Sequence, residues 1–317
     1  MKLNRRAAEL CKNIAAQASV LRVGAHRLPN QAKLWDFGVD HEGGLAAGLQ
    51  LARVCTSGLA DIFLQSDENI PATGTSVQVM TDHPVAACMA SQYAGWQINP
   101  PNYFAMGSGP MRAAAGSEEL FERLNCREAA DNAIGVLETA TLPTEEVTEW
   151  IASRCGVAAS EVQLCVAPTS SQAGNLQIVA RSVETALHKL YEIGFDLFKI
   201  RSGWGVAPLP PVAANDLAGI GRTNDAILYG ACVTLWVQGD DDALAQIVNQ
   251  VPSCASSDFG EPFSEIFARY DNDFYKIDPH LFSPAVIRLI NLESGRVHQA
   301  GATRHDILAA SFLGGSV

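Results

Sequence analysis

The sequence has 317 residues, of which 48% are hydrophobic and 18% charged, and its formal net charge is −12. A chain of this length can form two domains with a sizeable core. The acidic balance argues against a nucleic-acid partner and against an anionic membrane surface, because both need clustered Lys and Arg. No apolar run approaches the roughly 20 residues that span a bilayer. The N-terminal segment is too polar for a signal peptide, and we expect a cytoplasmic protein.

The cysteines and histidines give no pattern typical of disulfides or metals. Eight cysteines are scattered through the chain without a C-x-x-C pair. We therefore expect free and mostly buried thiols. The seven histidines form no H-E-x-x-H or His/Cys ligand spacing, so we predict no metal site. The sequence also lacks a P-loop, a G-x-S-x-G elbow and a dinucleotide fingerprint.

Hydrophobic periodicity predicts alternating helices and strands in a first domain, residues 1–116. These elements are helices over Leu3–Val23, Leu45–Cys55 and Pro84–Gly95, and strands over Lys33–Gly38, Ala60–Gln65 and Ser76–Thr81. Asp82 and His83 precede the third helix, where they can either cap it or contact a polar ligand at the helix N-terminus. The composition of Gly107–Pro110 is typical of a tight turn.

A second α/β domain is predicted over residues 117–317, after the charged segment Gly116–Cys126. Its predicted strands are Asn132–Leu137, Val162–Ala167, Phe195–Arg201 and Cys232–Val237. Its predicted helices include Thr144–Cys155, Leu176–Ile193, Ala243–Val251 and Pro262–Tyr270. The segment Ser202–Pro211 is predicted to be a loop. The first three strands and their helices should form one sheet with right-handed crossovers. A hairpin over Val286–Leu292 and Arg296–Ala300, and a helix over Arg304–Phe312, can pack back on the first domain.

Arg181 and Glu184 stand out in the helix predicted over Leu176–Ile193. They are three residues apart, so they are neighbours on one helix face, turned away from the apolar stripe. A pair of this kind is most often a solvated ion pair that contributes about 0–1 kcal/mol. The pair nevertheless lies in the first turns of a helix that follows a strand, and α/β proteins place ligands at the carboxyl ends of strands.

Five polar stretches, taken together and in order, resemble the methenyltetrahydromethanopterin cyclohydrolase family over almost the whole chain. They are TDHP (81–84), NYFAMGSGP (102–110), the helix with Arg181 and Glu184, GRTNDAILYG (221–230) and DFYKIDP (273–279). The resemblance implies hydrolysis of the N5,N10-methenyl cation of a tetrahydromethanopterin-type carrier to the N5-formyl form, in formaldehyde oxidation or methanogenesis. It also implies a cytoplasmic homotrimer with two α/β domains, a substrate cleft between them, and neither metal nor cofactor.

The family's proposed catalytic pair is an Arg and a Glu three residues later on a helix, which match Arg181 and Glu184. The bridging carbon of the substrate cation is already electrophilic, so a carboxylate can act as general base toward water. Arg181 would hold the Glu184 carboxylate ionised and oriented. Predicted substrate-binding residues lie in the polar stretches: Asp82, His83, Ser108, Thr223, Asn224, Asp225 and Lys276. Each has a structural alternative, such as a helix cap for Asn224 or a surface charge for Lys276.

Two other functions remain open from the sequence. The first is another one-carbon enzyme of the same carrier, such as a dehydrogenase, which the missing nucleotide-phosphate loop disfavours. The second is a module that binds a reduced pterin without turnover, which the intact Arg181 and Glu184 pair disfavours. A hydrolysis assay on the methenyl carrier, with and without NAD(P), separates the three.

Overall fold

The computed structural model describes residues 1–314. Its chain forms two compact units, and each contains one six-stranded mixed sheet. Unit 1 comprises residues 1–60 and 86–177, and unit 2 comprises residues 61–85 and those from 178 onward. The predicted α/β class is confirmed. Within the described residues, no helix combines the length and the apolar character needed to cross a membrane.

Strands and helices alternate along most of the chain. The strands are β1 (Gly24–Arg27), β2 (Lys33–Asp36), β3 (Asp61–Ser66), β4 (Thr75–Thr81), β5 (Trp96–Ile98), β6 (Ala105–Ser108), β7 (Ala133–Glu138), β8 (Val162–Ala167), β9 (Ile200–Pro208), β10 (Cys232–Val237), β11 (Val286–Asn291) and β12 (Val297–Gly301). The α-helices are α1 (Leu3–Ala16), α2 (Ala18–Leu21), α3 (Leu45–Cys55), α4 (Met111–Ala115), α5 (Glu119–Arg123), α6 (Glu145–Cys155), α7 (Gln172–Val179), α8 (Ser182–Glu192), α9 (Asp216–Asp225), α10 (Asp241–Ile247), α11 (Phe263–Arg269) and α12 (His305–Leu313). A π-helix covers Val85–Gln92.

The sheet of unit 1 has the order β1-β2-β8-β7-β6-β5, with parallel pairing at β2–β8 and β8–β7. Side chains alternate between its two faces, and both faces are buried. One face packs with α1 and α3 around Phe37, and the other packs with α4 and α6 around Ile151. Unit 1 is therefore a three-layer α/β sandwich.

The sheet of unit 2 has the order β12-β11-β10-β9-β4-β3, and only β10–β11 is parallel. The helix α8 packs on β4, β9 and β10, against the face that holds Val79, Val233 and Leu235. All three of these side chains are fully buried. The C-terminal hairpin, β11 and β12, joins this same sheet beside β10.

The structure divides the chain elsewhere than at the predicted boundary between residues 116 and 117. That boundary falls inside unit 1, where β6 pairs with β7 across it. The hairpin β3–β4 meanwhile lies in unit 2, because β4 pairs with β9, more than 100 residues later. The predicted C-terminal return to the first domain is also corrected, since the hairpin belongs to unit 2.

Several local predictions are confirmed. The helix α3 and the strands β8 and β10 have the predicted bounds, and the C-terminal hairpin forms around Ser294 and Gly295. All eight cysteines are unpaired, and Cys254 is the exposed one. Gly156 ends α6 in the left-handed conformation, with φ 69°, which is the usual role of a glycine at this position.

Five predictions fail, two of them where glycine and serine residues lie within strands. Ser202–Pro211 is not a loop, because residues 200–208 form β9. The predicted strand Phe195–Arg201 instead contains a 3-10 turn, Leu197–Lys199, and only its last two residues lie in β9. Because β9 lies in the second sheet, the predicted single β-α-β-α-β sheet is limited to β7-α6-β8. Gly107 and Ser108 extend β6 rather than forming a turn, which comes at Gly109, with φ 85°. Finally, the helix predicted over Leu176–Ile193 is two helices, α7 and α8.

Candidate active site

The chain bends at Arg181, between α7 and α8. Arg181 has φ −94° and ψ 10°, and its carbonyl accepts the first hydrogen bond of α8 from Thr185 N–H at 2.9 Å. The helix α7 begins at Gln172. Just before it, the Ser171 hydroxyl accepts a hydrogen bond from Gly174 N–H at 3.0 Å. A serine in this position is a common helix start. The break places Arg181 immediately before α8 and Glu184 in its first turn.

Arg181 and Glu184 are both buried, with 7% and 4% of their surfaces exposed. The pair is therefore not the solvated surface ion pair that helical spacing favoured. Seven of the eleven residues of α8 are buried, so this helix is enclosed nearly all round and has no fully polar face. Buried charges are costly unless they are compensated, and they are more often found where they have a function. A carboxylate in the first turn of a helix is also stabilised by the helix dipole.

Two glycines of β9 let the start of α8 lie directly on the sheet. A Cβ added at Gly203 would lie 2.8 Å from Val183 Cγ1, and one added at Gly205 would overlap the Ser182 hydroxyl. Real Cβ atoms do not approach other atoms so closely, so a larger residue at either position must displace the helix or the strand. The glycines that made residues 202–211 resemble a loop therefore determine where Arg181 and Glu184 sit.

We expect Gly205→Ala to destabilise the protein by about 1–3 kcal/mol, the usual cost of overpacking. Turnover should fall further than stability explains, because the displaced first turn carries Glu184. Thermal unfolding and initial rates measure the two effects. Adding Ser182→Ala should restore part of both, since it removes the overlapping hydroxyl. Parental unfolding and turnover in Gly205→Ala would contradict this packing argument.

Asp82 and His83 follow the end of β4, beside β9. Both are exposed, and Asp82 Oδ1 accepts from the Ser202 hydroxyl at 2.7 Å. The Thr81 hydroxyl accepts from His83 N–H at 3.0 Å. Thr81 pairs with Gly203, the residue on which Val183 packs. The neighbouring Ser202 points to the other face of the sheet, so its hydrogen bond holds the Asp82 carboxylate on the face opposite α8. Substrate contacts by Asp82 and His83 stay a prediction.

Ser108, Thr223 and Asn224 make hydrogen bonds within the fold. Ser108 is fully buried at the end of β6 in unit 1, 3.3 Å from Cys55 Sγ. The Thr223 hydroxyl donates to Gly219 O at 2.8 Å, and the Asn224 amide donates to Ile220 O at 2.9 Å. Both bonds return to the preceding turn of α9, a common use of short polar side chains in helices. Substrate contacts by these residues stay a prediction.

Asp225 and Lys276 differ strongly in their surroundings. Asp225 is 1% exposed and accepts from Phe263 N–H at 2.7 Å, which joins the end of α9 to the start of α11. Burial raises the pKa of Asp225 to about 7, against the hydrogen bonds from Ser311 and Phe263 that lower it. Lys276 is exposed, and its ammonium lies 3.1 Å from Asp271 in a surface ion pair. Asp225 is thus positioned as a structural link, whereas Lys276 has an exposed side chain.

Two buried polar residues of the α7–α8 stretch were missed from the sequence. Lys189 is 1% exposed, and its ammonium donates to His280 O at 2.8 Å, which ties α8 to the turn Pro279–Leu281. Burial lowers the pKa of Lys189 to about 8. Gln177 is fully buried in unit 1, where its amide donates to Glu138 Oε1 at 3.1 Å. Periodicity gave no signal for either, because it marks only the apolar side of a helix.

One group in residues 1–314 has the composition of a metal site: His26, Asp36 and His41, whose ligand atoms lie within 4.8 Å of one another. Asp36 is fully buried, and its two oxygens already accept from four backbone N–H groups and contact His41 Nδ1 at 3.0 Å. Burial alone would raise the pKa of Asp36, but these hydrogen bonds hold it below its usual value. The carboxylate organises the turn after β2 and has no lone pair left to offer a metal.

Comparisons with known proteins agree with the motifs. The family model described as "Cyclohydrolase (MCH)" matches residues 2–312. A methenyltetrahydromethanopterin cyclohydrolase of Rhodopirellula baltica is 50% identical over 291 residues, which cover 89% of this chain and 86% of the relative. A relative with the same name from Methylobacillus flagellatus is 42% identical over 96% of this chain and 93% of its own length. Another from Methanococcoides burtonii is also 42% identical, over 92% of this chain and 92% of its own length. The chain belongs to the methenyltetrahydromethanopterin cyclohydrolase family.

Proposed function

We propose that this protein hydrolyses the N5,N10-methenyl cation of a tetrahydromethanopterin-type carrier to the N5-formyl form. Family membership supports the reaction class, and relatives in both bacteria and archaea carry the name of this activity. The observation that carries the proposal within the structure is the burial of Arg181 and Glu184 at the start of α8. Burial shields the Glu184 carboxylate from bulk water. The guanidinium of Arg181 is buried as well, three residues earlier in the chain.

Glu184 acts as the general base in this proposal. The water oxygen bonds to the bridging carbon while one water proton passes to the Glu184 carboxylate, and the cation becomes a neutral tetrahedral adduct. The C–N10 bond then breaks as the hydroxyl becomes a formyl carbonyl and loses its proton. N10 takes up a proton from Glu184 or from water, so one proton is released per turnover. The carboxylate also offsets the positive charge of the bound substrate.

Arg181 is proposed to hold the Glu184 carboxylate ionised and oriented. Its guanidinium has a planar set of donors that fits a carboxylate with two parallel hydrogen bonds. Asp82, His83, Ser108, Thr223, Asn224, Asp225 and Lys276 are proposed to bind the substrate.

The reaction should need neither a metal nor a cofactor, because the tetrahydromethanopterin derivative is itself the substrate. The substrate carbon is already activated by its positive charge, so a Lewis acid is not required. Within residues 1–314, one group has the composition of a metal site: His26, Asp36 and His41. Its Asp36 carboxylate accepts backbone hydrogen bonds instead. We expect full activity after exhaustive chelation and dialysis. Loss of turnover on chelation, restored by one specific divalent metal, would contradict this prediction.

The proposed function is tested by incubating the purified protein with the methenyl carrier and following the loss of methenyl absorbance. We expect catalytic loss without added nucleotide, and an N5-formyl product. Turnover that depends on NAD(P) would instead indicate a dehydrogenase. Stoichiometric binding without turnover would indicate a carrier module.

We also propose that the protein works in the cytoplasm as a homotrimer, in formaldehyde oxidation or methanogenesis. The family resemblance supports the assembly and the metabolic setting. The free cysteines, most of them buried, are consistent with a reducing compartment.

A further inference from the structure

The carboxyl ends of three parallel strands meet at one edge of the unit 1 sheet. Strands β2, β8 and β7 end there, at Asp36, Ala167 and Glu138. After β8 the chain enters α7, whose Ala173 packs on the face around Phe37, whereas after β7 it enters α6 on the opposite face. Open α/β sheets bind ligands where neighbouring strands send their connections to opposite faces. In the unit 1 sheet, that place is the edge between β7 and β8.

Two of these three strands end in a carboxylate, and the surroundings of the two carboxylates differ. The Asp36 carboxylate is fully buried, and backbone N–H groups of the turn after β2 donate to both of its oxygens. Glu138 is partly exposed, and it lies in register with Ala167 at the point where the two connections diverge. Of the two carboxylates, Glu138 is therefore the one that a ligand at this edge can contact.

A buried amide holds the Glu138 carboxylate in place. Strand alternation puts Glu138 on the same face as Ile134 and Val136, which is the face where α7 packs. There the side-chain amide of Gln177, which is fully buried, donates to Glu138 Oε1 at 3.1 Å. A carboxylate only accepts hydrogen bonds, so Gln177 must turn its NH₂ group toward it, and Gln177 Oε1 then finds no donor among residues 1–314. An unsatisfied buried oxygen costs stability, and proteins retain such costs mainly at functional sites.

A reduced pterin offers the donors that such a carboxylate recognises. Its pyrimidine ring has a ring N–H next to an exocyclic amino group, so two N–H donors point in the same direction. A carboxylate accepts from two parallel donors through both of its oxygens, and charge-assisted pairs of this kind are short and strong. The helix α7, which carries Gln177, also leads directly into the bend at Arg181. The support of Glu138 and the proposed catalytic pair thus belong to one continuous stretch of chain.

We propose that Glu138 binds the aminopyrimidine edge of the pterin ring of the carrier, and that Gln177 is the positioning residue that orients its carboxylate. This edge is remote from the N5–C–N10 bridge where the reaction takes place. Glu138 therefore contributes to substrate binding rather than to the chemical step. The inference adds a recognition residue to those predicted from the sequence, and it rests on the proposed function for the identity of the carrier.

Glu138→Gln tests the inference, because the amide keeps the size of the side chain but presents a donor to the donors of the ring. We expect KM for the methenyl carrier to rise about 10-fold to 100-fold, the range for losing hydrogen bonds to a charged group, with kcat within about 3-fold of the parent. Gln177→Met fills a similar volume without the amide and should raise KM by a smaller factor, again with kcat retained. A fall in kcat at parental KM in both variants would contradict a binding role.

Glu161→Gln is the matched control. It is the same change at an exposed residue just before β8, at the amino edge of the same sheet. We expect parental kcat and KM for this variant. Glu138 is partly exposed, so the unfolding temperature of Glu138→Gln should also lie within a few degrees of the parent.

Titration calorimetry with neutral ligands separates this inference from the proposed function, because it needs no turnover. The probes are the carrier without its one-carbon unit and a methyl-substituted tetrahydropterin, which is the ring alone. Glu138→Gln should raise both dissociation constants by about the factor seen in KM. A residue that only attracts the substrate cation would leave them unchanged, since neither ring is charged.

Parental dissociation constants in Glu138→Gln, or a parent that does not bind the ring, would overturn the inference. An active parent with such a Glu138→Gln variant would leave the proposed function standing. An inactive parent that binds the carrier, and binds it more weakly as Glu138→Gln, would instead count against the proposed function alone.

Discussion

Glu184→Gln is expected to lower kcat by about 10²–10⁴-fold, the range typical for loss of a general base. The amide keeps the shape of the carboxylate and one acceptor oxygen but cannot take a proton from water. KM should rise only modestly, because most contacts to the substrate are retained while the charge that offsets the cation is lost. Steady-state loss of methenyl absorbance gives both constants.

Glu192→Gln is the matched control, since it is the same change near the end of the same helix. Glu192 lies 3.6 Å from His188, with 41% of its side chain exposed. We expect near-parental kinetics for it and unfolding temperatures within a few degrees of the parent for both variants. A Glu184→Gln enzyme that turns over like the parent would remove Glu184 from the mechanism.

Arg181→Lys is expected to lower kcat/KM by about 10-fold or more, although the charge is preserved. An ammonium cannot reproduce the two parallel hydrogen bonds of a guanidinium, so the Glu184 carboxylate would be less well oriented. Arg123→Lys in α5 is the control, because Arg123 pairs with Glu119 on the surface, with side chains 59% and 71% exposed. Such pairs contribute little. Equal kinetics in the two variants would show that Arg181 is not a specific partner of the site.

Elements with one clear local signal were predictable from the sequence. Strands β8 and β10 are mostly apolar segments, helix α3 is rich in small apolar residues, and the bounds of all three were correct. Strand β9 was missed because Gly203 and Gly205 normally weaken strands, and their reason is the approach of α8, which no local pattern records. The division into units was missed for a similar reason, since the β3–β4 hairpin pairs with a strand far along the chain.

The candidate site was only partly predictable. Resemblance singled out Arg181 and Glu184, but helical spacing alone favoured a solvated pair. Burial of α8 on nearly all sides is a property of the packed unit, and so is the hydrogen bond that holds Lys189 to His280. Thr223 and Asn224 looked equally suited to binding or to helix hydrogen bonds, and the structure shows that they make the latter.

The central claim is that the chain hydrolyses the methenyl carrier with Glu184 as its base. A single-turnover experiment tests it most directly, with enzyme in excess over the carrier and methenyl absorbance followed in the parent and in Glu184→Gln. This design separates the chemical step from product release. We predict rapid loss of the methenyl absorbance with the parent and loss about 10²–10⁴-fold slower with the variant at saturating enzyme. Equal rates in the two proteins, or a parent no faster than buffer, would contradict the account.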